Sequence, residues 1–462
     1  MLNDKIPVSE LYKFNKKAAI RRIYRECSNP DTIPSVDSIS QLYSDLSKLP
    51  DPINWNLCPE IIPATSTFVF SCPTPGEIIC LLKKGKKKKS SPGIDKITYA
   101  ELLSADPQGK ILTMLFSLIL ETGYTPNIWR TGHTVLIPKA GELDFTDPTN
   151  WRPIALLNTT YKIFTSCLAY QLQFWIQENN ILHRNQKSLA IHEGCVEHNF
   201  ALNTMIENNS KNRLSAFICF IDIANVFPSV PFELLFGILS RHGVNPSSIQ
   251  IISQLYENCE NIIKINNTSI GPFPVRKSIR QGCPLSMLLF NVVINQVLLA
   301  VDPAQNSFKI LAYADDLAIT NTSFESLHTD VDTANKIIQW CGMCIKPSKC
   351  GLLCINPPLR FGKPTNQSTI PNQLNFTING SQIPLVDEHS TPKYKYLGVM
   401  RGKEIRQNPT VVHEKCLEKL RLISRSALLP WQTLDAIKVF VHSKLVFHYR
   451  NYSHTRKFSC KV

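Results

Sequence analysis

No stretch of the sequence is long and apolar enough to cross a bilayer. The longest candidate, Leu285 to Val301, is short and is broken by Ser286, Asn291, Asn295 and Gln296. A buried helix is expected there, and no membrane contact. The first thirty residues are polar and charged, which speaks against a secretory signal. Cysteine is present, 15 in 462 residues, but not at the density of a disulfide scaffold. Reduced thiols in a cytosolic or nuclear compartment are expected. The tightest cluster is Cys341, Cys344, Cys350 and Cys354. Its first two members have the spacing of a zinc half-site, yet no second paired half-site follows, so buried thiols are the expected reading. Internal repeats are absent, and the lysine run is the single low-complexity tract. Acidic side chains are the scarcer sign: 36 against 50 Lys and Arg, a formal charge of +14. That balance points to an anionic partner, nucleic acid before an anionic membrane surface. A protein that is merely basic is the plain alternative.

The length suggests about two to four units, and 43% hydrophobic residues can bury a substantial core. Residues 1–75 read as a separate, basic helical extension: LYKFNKKAAIRRIYRE has helical spacing, and a Pro- and Ser-dotted stretch (NPDTIPSVDS) and a loop at DPINW follow. After a short helix, the run Lys86–Lys89 reads as a solvated face, a nuclear import signal or a phosphate-binding loop. SSPGIDKIT behind it reads as an ordered loop, since Pro92 and Gly93 fix a turn. Then strands and long helices alternate. HTVLIPK is a strand ending at Lys139, and WRPIAL is a turn before a long helix. FICFID is a buried strand ending at Asp222. NIIKINN and PFPVRKSIRQG are strands around a turn. KILAYADDLAIT is a hairpin, CIKPSKCGLLCI a turn and strand, and KYKYLGVM another short strand. The tail from about 405 is basic and helical. An α+β or α/β core follows.

The chemistry lies in LAYADDLAIT. Asp315 and Asp316 stand side by side between strand-forming residues, although like charges repel and a buried carboxylate costs several kcal/mol unless compensated. Aspartates also suit turns, so the pair alone decides nothing. Asp222 adds weight, because an aspartate closing an apolar strand is not needed for packing. If that strand lies beside the hairpin, three carboxylates converge. Mg²⁺ takes oxygen ligands and shares them with phosphates, and two such ions suit an in-line phosphoryl displacement. Nucleotidyl transfer is the chemistry that fits.

The motifs resemble those of reverse transcriptases from non-LTR retrotransposons. FIDIANVFPSV, IRQGCPLSMLLFN and YADD are similar to the first three palm motifs. IKPSKC and YKYLGV are similar to the fourth and fifth. Upstream, KKKKSSPGIDKIT, LIPK and WRPIALLNTTYKI resemble the fingers. GCVEHN looks most like the branch that inserts at fixed genomic sites such as ribosomal RNA genes. The resemblance runs from about residue 80 to 400, in the family's order.

It implies a right-hand polymerase: fingers and palm over 76–400, the palm with an antiparallel sheet, and a partial helical thumb over 401–462 that stops short. It implies two Mg²⁺ ions, with Mn²⁺ an alternative, held by Asp222, Asp315, Asp316 and the backbone carbonyl of Ile223. Lys139 and Arg152 would reach the triphosphate, Arg as a fork and Lys as a point charge; a solvated surface pair is their plain reading. Phe227 would be the steric gate that prefers deoxynucleotides, or a simple core Phe. Gln281 and Gly282 would line the nucleotide pocket, and Lys349 would act as general acid toward pyrophosphate. The turn at Gly398 would grip the primer. Implied partners are template RNA, a DNA primer and deoxynucleotides, with target-DNA contact left to domains outside this chain. Implied localisation is nuclear, with cytoplasmic presence open. The sequence departs from the pattern at Met287, at Ser188-Leu189 and at Val226, none of them a metal ligand. It shows no paired Cys/His finger and no second carboxylate set for an endonuclease. The rival readings are a degenerate remnant that binds nucleic acid without copying it, an RNA-dependent RNA polymerase or intron maturase, and a basic RNA-coating protein.

Overall fold

The run Ala216–Ile221 is apolar throughout and buried along its whole length. A strand of that kind must be covered on both faces. A computed structural model, describing residues 7–24, 33–88, 90–139, 144–189, 193–224, 226–265, 268–356, 376–386, 394–402 and 409–451, shows how. In chain order the strands used below are β1 (Thr131–Pro138), β2 (Trp151–Leu156), β3 (Ala216–Ile221), β4 (Ile223–Ala224), β5 (Glu260–Ile265), β6 (Thr268–Pro274), β7 (Ile310–Tyr313), β8 (Asp316–Asn321), β9 (Cys344–Ile345) and β10 (Gly351–Ile355).

β3 lies inside an antiparallel sheet of order β10-β3-β8-β7. Its side chains alternate between two cores, as strand pleating requires. Phe217, Cys219 and Ile221 enter the large core with the helices Ser286–Val301 and Phe324–Trp340. Ala216, Ile218 and Phe220 enter a smaller one with Leu202 and Ile206 of the helix Gly194–Lys211, and with Tyr396 of the hairpin at 394–401. Burying these six side chains contributes on the order of 10 kcal/mol, so the strand ends are rigid supports. The helix Ser286–Val301 is buried almost all round, as expected. Its polar residues have structural work: Asn295 accepts from the His183 N–H at 2.7 Å and donates to the Ile181 carbonyl at 3.0 Å.

A second sheet has the order β2-β1-β5-β6, with β1 and β5 parallel. WRPIAL, expected as a turn, is strand β2, paired along β1 from Pro138↔Trp151 to His133↔Leu156. β-Branched and apolar residues satisfied by a partner strand override the local Pro signal. The second strand expected over PFPVRKSIRQG instead spans Thr268–Pro274. KYKYLGVM is two strands joined at Leu397-Gly398, both with positive φ, because Gly398 permits the tight reversal. The lysine run is the last turn of the helix Pro75–Lys88, where cations meet the negative end of the helix dipole; Lys89 lies outside the described residues. SSPGIDKIT is ordered: Asp95 accepts from Asn158 at 2.9 Å, and the Ile97 carbonyl accepts from Thr159 at 2.5 Å.

Described residues within 1–75 pack in cores that also hold later parts of the chain. The helices Val8–Phe14 and Lys16–Ile23, divided at Asn15, put Leu11, Tyr12, Ala19 and Ile20 among Cys416, Ile423, Ala436 and Val441 of the C-terminal helices. Tyr12 donates to Asp435 at 2.8 Å. Trp55 packs edge-on against Trp340, with Arg241 over its ring at 3.6 Å, and Phe68 and Phe70 enter the large core. Residues 29–32 of the Pro-dotted stretch, and all residues after 451, lie outside the described residues.

Candidate active site

The register of one strand pair brings two of the aspartates to one end of the sheet. Ile221 of β3 faces Leu317 of β8. Asp222 follows Ile221 and Asp316 precedes Leu317, so the two aspartates stand at the same end of adjacent antiparallel strands. Asp315 sits in the turn between Tyr313 and Asp316. Asp222 follows the end of β3; its carbonyl accepts from the Lys346 N–H at 2.9 Å, and its N–H donates to Cys350 Sγ at 3.4 Å. Burial pushes the Cys350 thiol up to about 11, so it stays protonated as a packing group.

The electrostatics register the convergence. Burial raises Asp222, and Asp315 raises it further, while Lys349, Lys346 and Lys139 pull it down. Asp315 is raised by burial, against its own backbone, Arg152 and Lys139. Asp316 is pushed up to about 6, by burial first and then by Asp315 and Asp222. Its side chain is open to water in the cleft, yet protein encloses it enough to weaken hydration. Three carboxylates thus share one region without enough positive charge to offset them.

Carboxylate oxygens are the donors a hard divalent cation takes, and such an ion bound beside them would relieve that repulsion. Among the described residues, no group of three or more His, Cys, Asp or Glu side chains is placed so that it could hold a metal ion as it stands. That holds for the cysteine cluster too: Cys341, Cys350 and Cys354 are buried and Cys344 on β9 is exposed.

The trio opens into a cleft of about 580 Å³. On one wall, Lys139 follows β1 and Arg152 lies on β2. The Lys139 side chain donates to the Thr149 carbonyl at 2.7 Å, and Arg152 is exposed. On the other wall stand Lys346 and Lys349, spaced so that a 3₁₀ turn aligns them. Phe227 lines the cleft and is half-buried, its ring tilted against Phe290 at 5.2 Å. Ile223 lines the cleft, though its side chain is largely buried and its backbone pairs with Ile345. Gln281 lines the cleft and its carbonyl accepts from the Ala155 N–H at 2.8 Å. Gly282, expected beside it in the pocket, is not in the lining. It has φ 118° and lies so close to β2 that a Cβ would come within 2.7 Å of the Ala155 carbonyl oxygen. Glycine is required there by the backbone contact.

Two contributors escaped the sequence reading. Lys346 was visible in IKPSKC, three residues before Lys349. Leu42, Tyr43 and Leu46, from the helix Val36–Leu46, form the outer side of the cleft, with Tyr43 stacked on Phe273 at 5.5 Å. The helix itself is legible from its spacing and its Ser35 cap; its docking place is not.

Residues 137–400 match the family described as "Reverse transcriptase (RNA-dependent DNA polymerase)". The chain is 25% identical over 391 residues to the "Retrovirus-related Pol polyprotein from type-1 retrotransposable element R2" of Popillia japonica, covering 82% of this chain and 52% of that one. It is 25% identical over 366 residues to the protein of the same name from Nasonia vitripennis, covering 78% and 34%. With the "Probable RNA-directed DNA polymerase from transposon BS" of Drosophila melanogaster it is 23% identical over 387 residues, covering 79% and 40%. The chain thus spans about half, or less, of the length of these relatives. The matched segment begins on β1 and takes in all three aspartates, and by that match the chain belongs to the reverse transcriptase (RNA-dependent DNA polymerase) family.

Proposed function

We propose that the chain is the RNA-directed DNA polymerase of a non-LTR retrotransposon, adding deoxynucleotides to a primer 3′-hydroxyl on an RNA template. The observation that carries the reading is that Asp222, Asp315 and Asp316 line one cleft at the end of the paired strands β3 and β8. In this reading the molecule is a right hand. The sheet β2-β1-β5-β6 belongs to the fingers and the sheet β10-β3-β8-β7 to the palm. The helices within 409–451 belong to the thumb.

Asp222, Asp315, Asp316 and the Ile223 carbonyl would hold two divalent ions, Mg²⁺ or Mn²⁺. When bound, such a pair stabilises the attacking and leaving oxygens of an in-line phosphoryl transfer. Lys139 and Arg152 bind the triphosphate from the fingers wall. Lys349, with Lys346 beside it, faces the opposite wall and holds a proton for the departing pyrophosphate. Phe227 sets its flat ring against the sugar and leaves no room for a 2′-hydroxyl, and Gln281 orients the nucleotide. The charge of +14 suits a duplex held through its phosphates. Nuclear residence fits a polymerase that copies onto genomic DNA. Primer extension on poly(rA)·oligo(dT) with Mg²⁺ tests the proposal: the wild type extends and Asp315→Asn does not. RNA binding without extension by the wild type would support the remnant reading instead.

A further inference from the structure

The turn bearing Asp315 is held by a side chain outside the cleft. Ala314, just before Asp315, has φ 56°, a left-handed conformation that residues with a Cβ rarely adopt. Gln186 captures both of its backbone polar groups: the Ala314 N–H donates to Gln186 Oε1 at 3.0 Å, and Gln186 Nε2 donates to the Ala314 carbonyl at 3.4 Å. A primary amide can do both at once; no apolar side chain can do either.

Gln186 is itself fixed. It is 6% exposed, and the Ser188 N–H donates to the same Oε1 at 3.2 Å. The backbone around it runs parallel to β7: Ala312 N–H donates to the Asn185 carbonyl at 3.0 Å, and Lys187 N–H to the Ala312 carbonyl at 3.0 Å. Asn185 Nδ2 donates to the Ile310 carbonyl at 3.0 Å. The Ser188 hydroxyl accepts from Asn291 at 2.7 Å, which ties the segment to the central helix Ser286–Val301. The departure from the family pattern at Ser188 is thereby part of the mounting.

We propose that Gln186 is a positioning residue for the catalytic turn. Its amide locks the left-handed Ala314 and so sets the direction in which Asp315 and Asp316 leave the backbone. The inference rests on the reading of those aspartates as the metal-holding pair.

The test uses Gln186→Met, similar in length but without an amide, alone and combined with Ala314→Gly. Glycine adopts the left-handed conformation freely, so it relieves the need for the clamp. In primer extension on poly(rA)·oligo(dT), Gln186→Met lowers kcat about 10- to 100-fold, as expected for sub-ångström misplacement of reacting groups. KM for dTTP stays within about twofold of wild type, because nucleotide contacts are untouched. Mn²⁺ binding to the protein–primer–template complex, followed by electron paramagnetic resonance without nucleotide, weakens severalfold. Adding Ala314→Gly restores part of both losses. The proposal is overturned if Gln186→Met keeps the wild-type kcat and Mn²⁺ affinity. It is equally overturned if both fall only in step with the fraction of folded protein and Ala314→Gly restores nothing. If the wild type binds Mn²⁺ but extends no primer, the polymerase reading fails while the Mn²⁺ comparison still decides the role of Gln186.

Discussion

Replacing Asp316 with Asn should make the protein more stable in the absence of divalent ions and abolish its activity at the same time. The carboxyl of Asp316 is moved from 3.8 to about 6 by burial and by its two acidic neighbours. A folded value above the unfolded one means that this group favours folding below about pH 4. That contribution is lost as pH rises through about 6, so above pH 6 the ionised group works against the fold. The displacement sets an upper limit of about 3 kcal/mol, and water reaching the side chain in the cleft reduces it to about 1 kcal/mol. In a chain of this size that is a gain of about 1–2 °C in Tm for Asp316→Asn in EDTA at pH 7.5. Divalent ions reverse the order. A site filled at ten times its dissociation constant adds about 1.4 kcal/mol to the wild type and much less to the variant. Differential scanning fluorimetry of both proteins, with EDTA and with Mg²⁺, gives four melting temperatures that decide the matter. An EDTA Tm for Asp316→Asn at or below wild type would refute the repulsion. An equal Mg²⁺ increment in both proteins would refute the ion site.

Two further outcomes follow from other parts of the fold. Phe227→Ala opens the space proposed for the 2′-hydroxyl, so the ribonucleotide-to-deoxynucleotide ratio of kcat/KM in primer extension should rise about 10-fold or more; an unchanged ratio makes Phe227 a packing residue for Phe290 alone. His242 is 2% exposed, with neither ring nitrogen in hydrogen-bonding geometry. Burial holds it down at about 4, against a small opposing contribution from the Ile62 backbone. Its folded value lies below the unfolded 6.5, so stability is full above pH 6.5 and falls as pH drops toward 4, by about 2 kcal/mol at pH 5. Urea denaturation of wild type and His242→Phe at pH 7 and 5 should show that much less acid sensitivity in the variant, and parallel curves would contradict it.

What the sequence made legible was whatever two or three neighbouring turns or strands decide locally. β3 announced itself by six apolar residues ending in Asp222, the hairpin by alternation around Asp315, and the central helix by its length and apolarity. The carboxylate site followed because strand ends carry their last residue to a sheet edge whichever way the rest of the chain runs. β2 was missed because Pro153 is a local breaker signal, yet the strand's register is set by β1, its partner in the sheet. The helix Val36–Leu46 could be foreseen as a helix, but not as a wall of the cleft, since its place depends on Phe273, more than two hundred residues away. Gln186 was hidden more deeply. A glutamine in a loop carries no periodicity, and its partner is a backbone amide, which every residue but proline possesses. The strain that gives it a purpose, the positive φ of Ala314, is likewise silent in a sequence, where alanine reads as the least demanding of residues. The chemistry of this site is therefore written in side chains that a motif can name. Gln186 stands in the family pattern that breaks at Ser188-Leu189, but that pattern does not say that its amide holds the main chain at Ala314, so a copy of the element that keeps all three aspartates can still lose its activity at position 186.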